Sequence, residues 1–160
     1  MLNKCKEDYE KIINSEKFNK KLFLVNLFLM CPPEDIKNLK FQLDFYNPEK
    51  DTLTSYIVNG NIRETENEKI FKEDKQELEE LTLEEIKFDF DNTIKICNEI
   101  LKKYHETPDK IIILLQKIKT PVWNISYITG TFNLINIKID AISGEIMEEN
   151  KSSLLSFKKE

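Results

Sequence analysis

The stretch from Pro121 to Glu149 constrains the fold of this chain more than any other. Trp123, Ile125 and Tyr127 fall on one face of an alternating run, with Asn124 and Ser126 on the other. After Gly130 a second run alternates through Ile135, Ile137 and Ile139. Asp140 to Gly144 then reads as a turn, entered by an acid whose short side chain can accept backbone amides, and Glu145-Ile146 resumes an extended pattern. A period of two bounded by glycine turns is the mark of antiparallel strands with one buried face.

Upstream, Leu2, Cys5, Tyr9, Ile12 and Ile13 recur at three- and four-residue steps, which predicts a helix over residues 2–18. Leu22 to Met30 is apolar on both faces and suits a central strand, where Asn26 needs a hydrogen-bond partner; Pro32-Pro33 ends it. Phe41, Leu43 and Phe45 alternate, and Thr52 to Val58 forms a further strand. Asn59-Gly60 closes it with a strong hairpin signal, and Asn61 to Glu64 can pair back. Residues 67–88, rich in Glu and Lys, read as an acidic connector. Asp89 or Asp91 caps a second helix with a stripe of Ile94, Cys97, Ile100, Leu101 and Tyr104. Ile111 to Leu115 is another all-apolar strand, and Leu154, Leu155 and Phe157 close the chain as a strand or packed tail.

The order helix, apolar strand, Pro-containing break, alternating strand, loop, alternating strand, glycine turn thus occurs twice, which points to an internal repeat. The expected fold class is α+β, with two helix-plus-three-stranded antiparallel units. Residues 1–66 form the first, and residues 89–160 the second.

Composition narrows the function. The net charge is −5, Arg63 is the only arginine, and the lysines are dispersed among glutamates, so a nucleic-acid partner is not expected. Cys5, Cys31 and Cys97 are odd in number and far apart, each in an apolar context, as reduced buried thiols would be. The apolar run Leu22 to Cys31 is too short to span a membrane, and a charged segment precedes it, unlike a signal peptide. The expected location is cytoplasmic. No metal site or cofactor is expected: His105 stands alone, and Gly60, Gly130 and Gly144 are isolated, so no phosphate-cradling loop exists.

The second half resembles a PepSY domain. Trp123-Asn-Ile-Ser-Tyr127 and Ile137-Lys-Ile139-Asp140-Ala141-Ile-Ser143-Gly144-Glu145-Ile146 carry the likeness, with Ser143 where the family usually has Thr. The resemblance covers residues 89–149 and implies one helix against a three-stranded antiparallel sheet. It also implies a non-enzymatic role, often inhibition or regulation of peptidases or attachment at cell surfaces.

The expected function is a non-catalytic binding or regulatory protein that engages a protein or peptide through a sheet edge or a helix–sheet groove. No catalytic residue is assigned. Asp140, Gly144, Asn59 and Gly60 are read as structural turn residues. The alternative is a small apolar ligand held by Trp123, Tyr127 and Phe132, and behind it a hydrolase using His105 with a carboxylate.

Overall fold

Phe23–Cys31 is the most apolar run of the chain and forms the strand around which the sheet grows. In the computed structural model, which describes residues 1–69 and 78–155, this strand (β1) lies between β2 (Gln42–Asn47) and β5 (Pro108–Ile118). The remaining strands are β3 (Thr52–Asn59), β4 (Asn61–Lys69), β6 (Thr120–Thr129), β7 (Asn133–Asp140) and β8 (Ile146–Ser153). They make one eight-stranded antiparallel sheet in the order β4-β3-β2-β1-β5-β6-β7-β8. Helix α1 (Leu2–Ile13) precedes β1, and α2 (Phe90–Tyr104) precedes β5.

This corrects the expected fold class. Two separate units of one helix and three strands are not formed: each helix is followed by four strands, and all eight share one sheet. The physical reason lies at the centre and at the edges. β1 and β5 are apolar on both faces, so neither makes a good edge, and they pair with each other from Asn26↔Gln116 to Cys31↔Ile111. The outermost strands, β4 (NIRETENEK) and β8 (IMEENKSS), are polar on both faces and carry almost no apolar alternation. β4 also runs past residue 66, into the stretch expected to be connector. Part of that connector, and Phe157, lie outside the described residues.

One face of the sheet carries the core. Leu27, Leu29, Leu43, Phe45, Ile113, Leu115, Trp123, Ile125, Ile135 and Ile137 are buried with Cys5 and Ile12 of α1 and Cys97, Ile100 and Leu101 of α2. Alternation turns the intervening residues to the other face, where Phe28, Ile112, Leu114, Ile128 and Leu134 are half-buried and Met30 is exposed. Polar side chains on that face satisfy one another. Asn136 Nδ2 donates to Asn124 Oδ1 (2.6 Å) and Ser126 Oγ (2.8 Å). Asp44, buried, accepts from Gln42 Nε2 (2.7 Å), Ser55 Oγ (2.6 Å) and the Asn26 amide, which gives Asn26 its partner. Burial outweighs those donors and raises the Asp44 pKa.

Helix α1 stops at Ile13, short of the expected residue 18, and Asn14 caps it with its amide donating to the Glu10 carbonyl at 3.1 Å. Phe18 reaches the core without it, edge-on to Phe45 at 5.3 Å. Helix α2 starts as its sequence indicates: Asp89 Oδ1 accepts from the Asn92 amide at 2.9 Å.

The turn after β7 explains why its residues and those of β6 belong together. Asp140 Oδ1 accepts the amides of Ile142 (2.7 Å) and Ser143 (3.0 Å). The Ala141 carbonyl accepts the amides of Lys87 (3.0 Å) and Phe88 (2.8 Å), while Trp123 Nε1 donates to the Phe88 carbonyl (2.9 Å). The Phe88 ring covers Gly144, whose φ is +82°. Turn and tryptophan thus grip the two residues that deliver the chain into α2.

Candidate functional site

The first turns of α1, the segment before β2 and the start of α2 leave a cleft of about 380 Å³ between them. Its floor is Cys5, Asp8 and Phe41, all buried; Lys4, Lys37, Lys40 and Asp91 stand exposed around it. Asp8 occupies a stripe position, three residues after Cys5 and four before Ile12, so the helix turns a carboxylate inward. Lys40 Nζ lies 3.4 Å from Asp8 Oδ1, whose side chain is 6 % exposed. With that pair mutually neutralised, Lys4 and Lys37 outnumber Asp91 in a chain that is otherwise acidic.

With Asp8 neutralised by Lys40, the rest of the floor is apolar and the rim carries a cationic excess, suited to an amphipathic anion. It does not present an activated nucleophile. Burial first, then the Asp8 charge, pushes the Cys5 thiol up to about 12, so it stays protonated at neutral pH. Cys97 is likewise pushed up to about 12 by burial, and Cys31 is raised for the same reason. All three cysteines are free and buried. Among the described residues no group of three or more His, Cys, Asp or Glu is placed to hold a metal ion.

Trp123, Tyr127 and Phe132 do not meet in one cavity. Trp123 is 1 % exposed and packs on Phe90 (centroids 5.5 Å) and Phe41 (6.5 Å), so it lies behind the cleft floor rather than in the cleft. Tyr127 is 2 % exposed; its hydroxyl has no nitrogen or oxygen partner, and its polar neighbour is the Cys97 thiol, a weak one. Phe132, by contrast, is 59 % exposed on the turn between β6 and β7. Asn59 and Gly60 form the tight β3–β4 turn, with Gly60 at φ +77°.

His105 caps the C-terminal end of α2 in a left-handed conformation (φ 52°) and borders a wide, open trough with Lys95, Asn98 and Glu106. The Asp140 turn holds Lys87 and Phe88, just ahead of the other end of the same helix. Fifteen residues of helix, about 22 Å at the usual rise, separate those ends, so His105 and Asp140 form no acid–base pair.

A second polar cluster ties the β6–β7 turn to β8. Glu106 accepts from Asn133 Nδ2 (2.7 Å) and Thr131 Oγ1 (2.9 Å) and pairs with Lys151 (3.1 Å). Those contacts, Asn133 foremost, pull the Glu106 pKa from 4.5 down to about 2. A depressed carboxylate contributes stability above its unfolded value and loses it as pH falls from about 4.5 through about 2. Glu106→Gln is therefore expected to melt below the parent chain at pH 7, with the gap closing between pH 5 and pH 2. Melting curves at steps of one pH unit check this; a gap unchanged at pH 2 would contradict it.

The cleft was not legible in the sequence, because its parts come from three separate segments. One signal existed, the acid Asp8 within the apolar stripe of α1. No protein-family model matches the chain, and no curated protein matches it. Its structure is similar to the crystal structure of a "putative lipoprotein" from Clostridium difficile 630, with a TM-score of 0.51 and 16 % sequence identity. That likeness covers 94 % of this chain and 90 % of the other, and at this identity it concerns the fold alone. No helix among the described residues is long and apolar enough to cross a membrane.

Proposed function

We propose that the chain is a non-catalytic binding module whose helix–sheet cleft receives an acidic peptide segment of a partner protein. The carrying observation is that Lys4 and Lys37 stand over the buried Cys5 and Phe41 in a chain of net charge −5, while Lys40 already neutralises the Asp8 carboxylate beside them. A peptide that alternates apolar and acidic residues matches both features: its apolar side chain would rest on Cys5 and Phe41, and its carboxylates would meet the lysines. The likeness of residues 89–149 to the PepSY pattern supports a role without catalysis, and the protonated thiols agree with it. Reduced, unpaired cysteines suit a cytoplasmic setting.

The cleft is favoured over the sheet edges as the site of an acidic peptide because both edge strands carry more acids than lysines and arginines, which repels an acidic strand. Fluorescence anisotropy with a labelled peptide of alternating Leu and Glu is the test. Saturable binding is expected, weakened about tenfold or more by the double substitution Lys4→Glu/Lys37→Glu, because attraction becomes like-charge repulsion. Lys20→Glu, at an exposed position beyond the other end of α1, is expected to leave binding unchanged. No saturable binding, or equal losses in both variants, would remove the proposal.

A further inference from the structure

The apolar side chains that remain exposed are not scattered evenly. Of the nine large ones exposed among the described residues, five (Phe132, Ile142, Ile146, Met147 and Leu155) lie on β8 or in the turns and segment flanking it. β8 pairs with β7 on one side, and no described strand pairs with its other side. Its charges are held in place. Glu149 accepts from the Tyr104 hydroxyl at 2.6 Å, with Lys103 at 3.3 Å, and Lys151 reaches Glu106 at 3.1 Å. An edge so fixed is a pre-ordered template rather than a frayed strand.

We infer that β8 pairs antiparallel with β8 of a second copy of this chain, centred on Asn150. The commitment to a second copy rests on charge complementarity along the strand. Directly opposed residues of an antiparallel pair lie on the same face, so a symmetric pairing must be centred on a residue. Centring on Asn150 sets Glu149 against Lys151 of the other copy, twice by symmetry, with Glu148 against Ser152, so that the Lys103–Glu149 pair of one copy and the Lys151–Glu106 pair of the other join into one row of alternating charge. Centring one residue earlier opposes Glu149 to itself, one later opposes Lys151 to itself, and centring on Glu148 opposes that acid to itself. Like charges directly opposite destabilise, so the register is selected as well as allowed.

The same register brings the exposed Ile146 and Met147 of one copy towards Ser153 to Leu155 of the other. The opposite edge of the sheet behaves differently. Any symmetric pairing of β4 centred between Arg63 and Glu66 opposes like charges, either a residue to itself or Glu64 to Glu66. Association through β8 therefore closes as a dimer and does not propagate. Its two-fold axis runs normal to the sheet, so the helices of both copies lie on one side and a doubled sheet is open on the other.

Sedimentation equilibrium tests the inference, independently of the cleft. The chain is expected to approach twice its 19.0 kDa mass as concentration rises. Lys151→Glu and Glu149→Lys should each weaken self-association about tenfold or more, since two attractive pairs become repulsive. An equimolar mixture of the two variants should recover the dimer, because each acid again faces a lysine. Far-UV circular dichroism verifies that both variants fold. In the unmutated chain, amides 148–152 should exchange with deuterium more slowly at high than at low protein concentration. A monomer at every concentration, a mixture that stays monomeric, or exchange independent of concentration would overturn the inference.

Discussion

Replacing Gly144 by alanine is expected to cost about 3 kcal/mol, the sum of a left-handed backbone penalty and overpacking. Gly144 has φ +82°, and an added Cβ would lie 2.5 Å from two atoms of the Phe88 ring. The ring cannot simply retreat. The Phe88 amide is bonded to the Ala141 carbonyl and its carbonyl to the Trp123 indole, so moving the ring strains the entry to α2. For a chain of this size such a loss lowers the melting temperature by about 10 °C. Gly60→Ala provides the internal control. Its φ is +77°, but nothing lies within 4 Å of the added Cβ, so only the backbone penalty of about 1 kcal/mol applies. Adding Phe88→Ala to Gly144→Ala should recover part of the overpacking cost. Equal losses at Gly60 and Gly144 would show that backbone conformation alone is responsible.

Trp123→Ala is expected to be at least as damaging, about 3–5 kcal/mol, as for other large buried aromatics. Trp123 is 1 % exposed, packs on Phe90 and Phe41, and donates to the Phe88 carbonyl. Trp123→Phe separates packing from hydrogen bonding. Most of the ring volume is kept, while the Phe88 carbonyl loses its donor, which costs about 1–3 kcal/mol when the acceptor stays buried. Denaturant melts of both variants measure the two quantities. Because Phe41 joins Trp123 to the cleft floor, Trp123→Ala should also loosen the cleft, and Trp123→Phe should not. A loss below about 1 kcal/mol for Trp123→Ala would refute the core role assigned to the indole.

What the sequence disclosed follows from which side chains are covered. β6 and β7 are covered on one face only, so Trp123, Ile125, Tyr127 and Ile135, Ile137, Ile139 announce themselves by alternation. β1 and β5 stand at the centre of the sheet, and their continuous apolar runs say so. β4 and β8 sit at the edges with solvent on both faces, so Arg63, Glu64, Glu148 and Lys151 carry no periodic trace of the ladder. Reading three strands per helix instead of four is the direct result. The pairing of β1 with β5 is a long-range event, joining Leu27 to Leu115, and no local signal encodes it. The cleft was hidden for the same reason, since Lys4, Lys37 and Asp91 become neighbours only once both helices lie on the sheet. Trp123 and Tyr127 drew attention because large aromatics serve cores and ligand sites alike, and burial, which decides between the two, is not written in spacing.

The most direct measurement of the central claim is amide chemical-shift mapping of the isotope-labelled chain as the alternating Leu–Glu peptide is added. The expected result is perturbation concentrated at Lys4, Cys5, Asp8 and residues 37–41, with β8 and the open face of the sheet unaffected. Perturbations confined to β4 or β8, or none at saturating peptide, would contradict a cleft that serves an acidic partner.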